Sequence, residues 1–425
     1  MTARVTQLNL AFATVIGWLL FLGVVSGRDE LVLAAVPLVV ALVASRLTST
    51  AAGYSIVHHV PAERVFEGDP IRVTVTVRAR TPLPLLEVLE PLPPLAPVGD
   101  GCNRWMTALG SGDEIAWSYE IRPVSRQRLR LGVVHVRAWD CCGLRVVEAE
   151  HHDPKTVSVY PGTLALRHLP RPRMTQPYVG NYVAPVLGEG IEPGDVRPFV
   201  AGDRVRQVNW RATLRRGALY VTERHRERNA DVVLMLDTLA VVGPPGGTTL
   251  DAAVRAAASL ASAYLARKDR VGLIEYGGLV RWERPGTGRP HGVRVLDALL
   301  EADVVFTYVA KDLELVPPRV LSPQALVIAL SPLLDGRFLK AVADLAARRF
   351  DVVILAVSPL PAARAVIATS PALDVAACLW AIERHRHLDD LRRRGLTIVE
   401  WDPTRPLQEA VAAFRRRQPR LGVAR

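Results

Sequence analysis

Asp231-Val-Val-Leu-Met-Leu-Asp237 is an unbroken apolar run closed by an acid, and a Gly/Pro-rich loop (Gly243 to Gly247) and the pair Thr248-Thr249 follow it. Such a run reads as a strand buried on both faces, as in a parallel sheet. Outward from it the pattern alternates. Leu250 to Lys268 has helical period, Asp269 to Ile274 reads as strand, and Arg294 to Leu300 as helix. Ala325 to Leu330, the helix Phe338 to Arg349 and the strand Asp351 to Val357 continue the series. Ile398 to Trp401 adds a last strand before the helix Pro406 to Arg416. Strand–helix alternation predicts an α/β doubly wound parallel sheet over residues 231–425.

Upstream, Gly188 to Tyr220 is too polar for core and too patterned for a generic linker. Gly194-Asp195 and Gly202-Asp203 are turn dipeptides whose carboxylates can hold local amides or pair with Arg197, Arg204 or Arg206. Asn209-Trp210 reads as a loop entering a short helix, with Asn209 as N-cap, Trp210 as buried anchor and Gly217 as terminator. One reading is an Arg–Asp–Trp network clamping the connector to the next domain; the other is a recognition surface, where Trp and Arg are favoured.

The spacing Arg197, Gly202-Asp203, Arg206, Asn209-Trp210 and Arg215 resembles the signature of the family called domain of unknown function 58. That resemblance implies a bacterial, usually membrane-anchored protein with a von Willebrand factor A-like C-terminal domain. It also implies a partner, because relatives often accompany AAA+ ATPases of the MoxR type. Von Willebrand-type domains often hold Mg²⁺ through an Asp-x-Ser-x-Ser loop, a Thr and a second Asp. Here Asp237 keeps the first place, and Thr248 or Thr249 and Asp335 could fill the later ones. The two Ser places are Leu239 and Val241, which offer no side-chain oxygen, so neither metal nor cofactor is expected.

Toward the N-terminus, Leu8 to Ser26 is uncharged and long enough to cross a bilayer. After Gly27-Arg28-Asp29-Glu30, a shorter apolar run from Leu31 reaches Arg46-Leu47. Residues 1–50 are therefore expected to form a transmembrane helical hairpin, with helices at about 8–26 and 31–47. Arg4 and Arg46 lie outside the hairpin while its loop is net acidic, so the soluble domains are expected in the cytoplasm of a multi-pass membrane protein.

Between residues 55 and 160 the period becomes two, most cleanly at Ile71 to Arg80, Trp117 to Ile121 and Leu129 to Val136. About seven short strands suit an all-β immunoglobulin-like sandwich. The Pro-rich stretch Pro82 to Pro97 reads as an edge or connection, because Pro lacks the ladder's amide donor. Leu131-Gly132, Asp140 to Leu144 and Val157 to Pro161 again resemble the family, with Cys141-Cys142 where Pro-Phe is usual. His151-His152-Asp153 reads as a solvated loop, and His385, His387 and Asp389-Asp390, amid Arg384, Arg386 and Arg392 to Arg394, as a charged surface. Residues 161–230 are linker and signature.

The chain has 53 basic residues, of which only Lys155, Lys268, Lys311 and Lys340 are Lys, and a net charge of +11. The Arg residues are scattered without aromatic interleaving, which argues against nucleic acid and leaves genome bias or contact with anionic lipid or an acidic partner. The four cysteines, two of them adjacent, read as buried free thiols. No P-loop, Gly-x-Ser-x-Gly elbow or spaced Cys/His set is present. The expectation is a non-enzymatic adaptor on the lipid bilayer that docks a MoxR-type ATPase through Arg197, Gly202, Asp203, Arg206, Asn209, Trp210 and Arg215. The alternatives are a metal-dependent ligand-binding protein, an unrecognised hydrolase, or a lipid- or envelope-sensing structural protein.

Overall fold

The computed structural model describes residues 2–47, 53–170, 182–188, 192–200, 208–228, 231–305, 320–322, 325–367 and 370–417. The chain divides into two units, Met1–Val159 and Tyr160–Arg425.

The first unit opens with β1 (Thr2–Val5), α1 (Gln7–Ser26) and α2 (Asp29–Leu47). Among the described residues α1 alone is long and apolar enough to cross a membrane. Asp29, Glu30, Pro37 and Arg46 interrupt the apolar character of α2. The two helices pack closely at Gly23, where an added Cβ would lie 2.8 Å from Val32. Thr6 caps α1 and donates to the carbonyls of Gly143 (2.9 Å) and Leu144 (3.0 Å). Asp140 accepts from the Leu144 amide (2.8 Å) and from the Ser45 hydroxyl. The 140–144 turn therefore forms the foot of both helices, and Asp140 shapes it without the usual Pro-Phe pair.

Strands β2 (Tyr54–His59), β3 (Arg64–Phe66), β4 (Ile71–Ala79), β5 (Leu83–Leu89), β6 (Val98–Asp100) and β7 (Arg104–Leu109) follow, then β8 (Glu114–Ile121), β9 (Gln127–Trp139) and β10 (Arg145–Tyr160). They form two antiparallel sheets, β1-β10-β9-β5-β7 with β3 on β10, and β2-β4-β8-β6. The alternating residues Val73, Val75 and Val77 meet Leu86, Val88, Leu131 and Val136 in one core. More strands form than the seven expected. The Pro-rich stretch also proves central, because β5 pairs with both β7 and β9. Pro84 is accommodated where the β5–β7 register shifts, between Leu83 and Leu86, and the β5–β9 ladder begins only at Leu85. Neither ladder needs the missing amide.

His151 and His152 lie in β10 rather than in a loop. The register of β10 shifts between His152 and Lys155. This brings the Asp153 carbonyl to 2.1 Å from where a Cβ on Gly132 would stand, at φ +89. Gly132→Ala is therefore expected to cost about 3 kcal/mol, against about 1 kcal/mol for Gly112→Ala, whose positive φ faces open space. Denaturant midpoints of the full chain measure the difference.

The cysteines are free, as expected, but Cys102, Cys141 and Cys378 are exposed rather than buried. Cys141 is the one exposed residue of the 140–144 turn, and Cys378 lies on an outward helix face.

The second unit begins with a strap. Leu166 and Leu169 pack on its core, the Leu164 amide donates to Ser259 (3.0 Å), and Tyr264 donates to the Pro170 carbonyl (2.7 Å). The start of the expected linker is thus structural. A small antiparallel sheet, β11-β13-β12, comes from β11 (Tyr182–Gly188), β12 (Glu192–Pro198) and, after α3 (Trp210–Arg216), β13 (Tyr220–Arg228).

The α/β region is built from β14 (Asp231–Thr238), α4 (Thr249–Ala266), β15 (Arg270–Gly277), β16 (Val280–Gly286) and α5 (Arg289–Glu301). It continues with β17 (Leu326–Ser331), α6 (Gly336–Ala347), β18 (Asp351–Val357), α7 (Leu360–Arg364) and α8 (Pro371–Arg393), then β19 (Thr397–Trp401) and α9 (Leu407–Arg417). The sheet order is β16-β15-β14-β17-β18-β19. All neighbours are parallel except the edge strand β16, a hairpin partner of β15. Alternate residues of β14 face opposite cores: Val232, Leu234 and Leu236 meet α4 and α9, while Val233 and Met235 meet α6 and α8. Burial on both faces is what the opening run required.

Candidate functional site at the carboxyl edge of the sheet

From β14 the chain first builds β15 and β16 on one side, then crosses to β17 on the other. The carboxyl ends of β14 and β17 therefore border the crevice where open α/β sheets usually take ligands. Leu236 pairs with Leu330, so the next residues, Asp237 and Ser331, meet there. Ser331 donates to Asp237 Oδ2 at 2.5 Å and the Leu239 amide to Oδ1 at 2.9 Å. Asp237 is 1% exposed. Burial pushes its carboxyl up to about 7; the Ser331 and Leu239 bonds oppose that, and Asp335 adds to it.

Asp335 caps α6 by accepting from the Arg337 amide (2.8 Å), and the Arg337 guanidinium grips the same carboxylate at 2.7 Å. That hydrogen bond, foremost, holds the Asp335 carboxyl below its usual range. Thr248 forms a capping box with Asp251, and the Thr249 hydroxyl accepts from the Val242 amide at 3.1 Å.

These donors do not fit the Mg²⁺ loop that the resemblance implies. The oxygens of Asp237, Thr249 and Asp335 are each engaged by a protein donor, and Leu239 and Val241 supply none. A cation would have to displace Ser331 and compete with the Arg337 guanidinium.

Beside this cluster runs an apolar groove of about 360 Å³. Val242, Leu334, Leu360, Ile367, Leu373 and Trp380 supply its walls. Its far wall is α8, read in part as charged surface. The structure corrects that reading for Arg384, whose side chain is 7% exposed. The guanidinium donates to Glu400 Oε1 (2.7 Å), the Pro332 carbonyl (2.9 Å) and the Val357 carbonyl (3.2 Å). It ties α8 to the ends of β17, β18 and β19. Trp380 lies 5.4 Å from the same guanidinium. Ala377, Trp380, Arg384, Leu388 and Leu391 recur at spacings of three and four, a signal that could have placed Arg384 on the inner face. Ser331 and Arg337 carried no comparable signal.

The signature residues stand elsewhere. Asn209 caps α3 by accepting from the Ala212 amide (3.0 Å), and Gly217 ends it at φ 69. Trp210 is 61% exposed, not a buried anchor. As the first helical residue of a two-turn helix with no buried residue, it has no core to enter. Arg215 is exposed, and Arg197 donates to the Pro198 carbonyl (3.0 Å). Gly202, Asp203 and Arg206 lie outside the described residues.

Residues 195–362 match the family model described as "Protein of unknown function DUF58". The match runs from β12 through the strands of the crevice to α7 and covers less than half of the chain. No curated protein matches the chain in sequence. Among solved structures, a non-cellulosomal cohesin from the archaeon Archaeoglobus fulgidus is similar at 13% identity and a TM-score of 0.17, over 25% of this chain and 91% of that one. A β-glucosidase from Listeria innocua matches at 14% identity and a TM-score of 0.14, over 24% of this chain and 16% of that one. A GH20 exo-β-N-acetylglucosaminidase from Vibrio harveyi matches at 12% and 0.18, over 68% and 59%. At these scores none defines the fold or the chemistry of this chain.

Proposed function

We propose that the chain is a membrane-anchored, non-enzymatic adaptor whose C-terminal region is a von Willebrand factor A-like interaction domain. In this reading it works with a MoxR-type AAA+ ATPase in the assembly or maturation of envelope-associated proteins. The observation that supports it is the carboxyl edge of the sheet. Its polar groups satisfy one another, and an open apolar groove lies alongside. A reaction centre needs a nucleophile and base open to substrate, whereas the hydroxyl–carboxylate pair of the crevice, Ser331 with Asp237, is buried. A docking face needs exposed apolar surface with polar groups at its rim.

The doubly wound sheet of the α/β region, parallel but for one edge strand, suits a von Willebrand-type domain, and the two antiparallel sheets of the first unit suit an immunoglobulin-like sandwich. In the same reading α1 and α2 both span the bilayer and the soluble parts face the cytoplasm.

Affinity purification of the intact, detergent-extracted chain tests the reading. A MoxR-type ATPase is expected to be retained. Its absence from repeated purifications would sink the adaptor role. Hydrolysis by the purified chain that Ser331→Ala abolishes would sink the non-enzymatic one.

A further inference from the structure

We infer that the groove between α7 and α8 receives a partner segment that places an apolar anchor against Leu360 and Trp380 and carboxylates just beyond them. The inference rests on the interaction role proposed for this edge. A second depression, of about 750 Å³, shares Leu360 and Trp380 with the groove. Its walls carry Arg384, His385, Arg386 and Arg405 against Glu400 and Asp402. The acids are committed: Glu400 holds Arg384 (2.7 Å), and Asp402 accepts from the amide (2.9 Å) and hydroxyl (2.7 Å) of Thr404. His385 faces Asp389 at 3.4 Å. Among the described residues, no carboxylate pairs with the guanidinium of Arg386 or Arg405.

An apolar slot that opens onto unpaired guanidiniums complements a segment of apolar then acidic residues. A cationic segment would be repelled there, and an uncharged one would leave the cations unused. A bilayer fits less well. The exposed apolar stripe Val375, Leu379 and Ile382 shares the outer face of α8 with Asp374, whose side chain is 74% exposed, and with the exposed Glu383. Anionic lipid would repel both acids.

The test uses the full-length chain in lipid nanodiscs and three fluorescent twelve-residue peptides. The first carries Leu at helical spacing followed by Glu and Asp. The second has Lys for the acids, and the third Ser for the leucines. The acidic apolar peptide is expected to bind at least ~10-fold tighter than either control, with an advantage over the Lys peptide that shrinks as salt rises. Arg386→Glu with Arg405→Glu, both at exposed positions, is expected to abolish the preference for acid. Ile367→Ser is expected to weaken the acidic apolar peptide and leave the Ser peptide unchanged.

Equal binding of the Lys peptide, or no effect of the double charge reversal, would overturn the inference. Self-association or anionic-vesicle binding that Ile367→Ser removes, without peptide preference, would also overturn it by assigning the groove to a second copy or to lipid. The two readings fail separately. If the ATPase co-purifies equally with wild type and with the Arg386/Arg405 variant, and peptide preference is absent, the groove assignment falls and the adaptor stands. If the preference is present but no ATPase is retained, the adaptor falls and the groove assignment stands.

Discussion

Arg384→Ala is expected to remove about 4 kcal/mol from the stability of the α/β region, because it strips one buried guanidinium from three acceptors at once. The Pro332 and Val357 carbonyls lie at the ends of adjacent strands, and Glu400 loses its guanidinium partner. Arg384→Lys should recover part of the loss, since an ammonium can reach one or two of these acceptors but cannot span them as a planar fork. The Glu400→Ala change alone should cost less, and the double variant less than the sum, because both changes break the same ion pair. Denaturant unfolding of the full chain, followed by amide exchange in β17 and β18, reads all four proteins. A loss below about 1 kcal/mol for Arg384→Ala would mean that water replaces the guanidinium freely. The side chain would then be decoration on α8 rather than its clamp.

The second large effect is a pH dependence. The Asp237 carboxyl titrates at about 7 in the fold against an ordinary 3.8. The folded chain therefore keeps a proton through a window in which the unfolded chain has released it. Stability from this group is fully present below about pH 3.8, declines as pH rises toward 7, and is flat above. Across pH 5 to 8 the decline should be about 3 kcal/mol. Asp237→Asn keeps an acceptor for the Leu239 amide and a group that can share a hydrogen with Ser331, yet it cannot ionise. Its stability should be nearly constant over the same window. Amide exchange of β14 at several pH values separates the two proteins, and equal slopes would refute the assignment.

How much of this was legible in the sequence depended on whether the signal was local. The run Asp231 to Asp237 announced a buried strand because both its faces are apolar, and most later strands and helices repeat that simple code. The antiparallel strand β16 was missed: Val280 to Gly286 carries Arg281, Glu283, Arg284 and Pro285, which read as loop until the hairpin partner is known. The central place of β5 was missed for a related reason. Pro84 forbids a ladder bond only at its own amide, and a register shift absorbs it. At the site, Asp237 and Asp335 were visible as polar punctuation after apolar runs. Ser331, Arg337 and Arg384 were not, because what gives them roles is the approach of strand ends far apart in sequence. Trp210 shows the opposite error, a large aromatic read as an anchor that the fold leaves on the surface.

The measurement closest to the central claim, that a partner docks on the carboxyl edge, is site-specific photo-crosslinking in cells. A benzophenone side chain would replace Ile367 in the groove wall or, as control, the exposed Met106 on β7. Crosslinks from position 367 to an identified MoxR-type ATPase, lost in the Arg386→Glu/Arg405→Glu chain and absent from position 106, are the expected result. An ATPase captured only from position 106, or from neither position while it still co-purifies with the chain, would contradict docking at this edge.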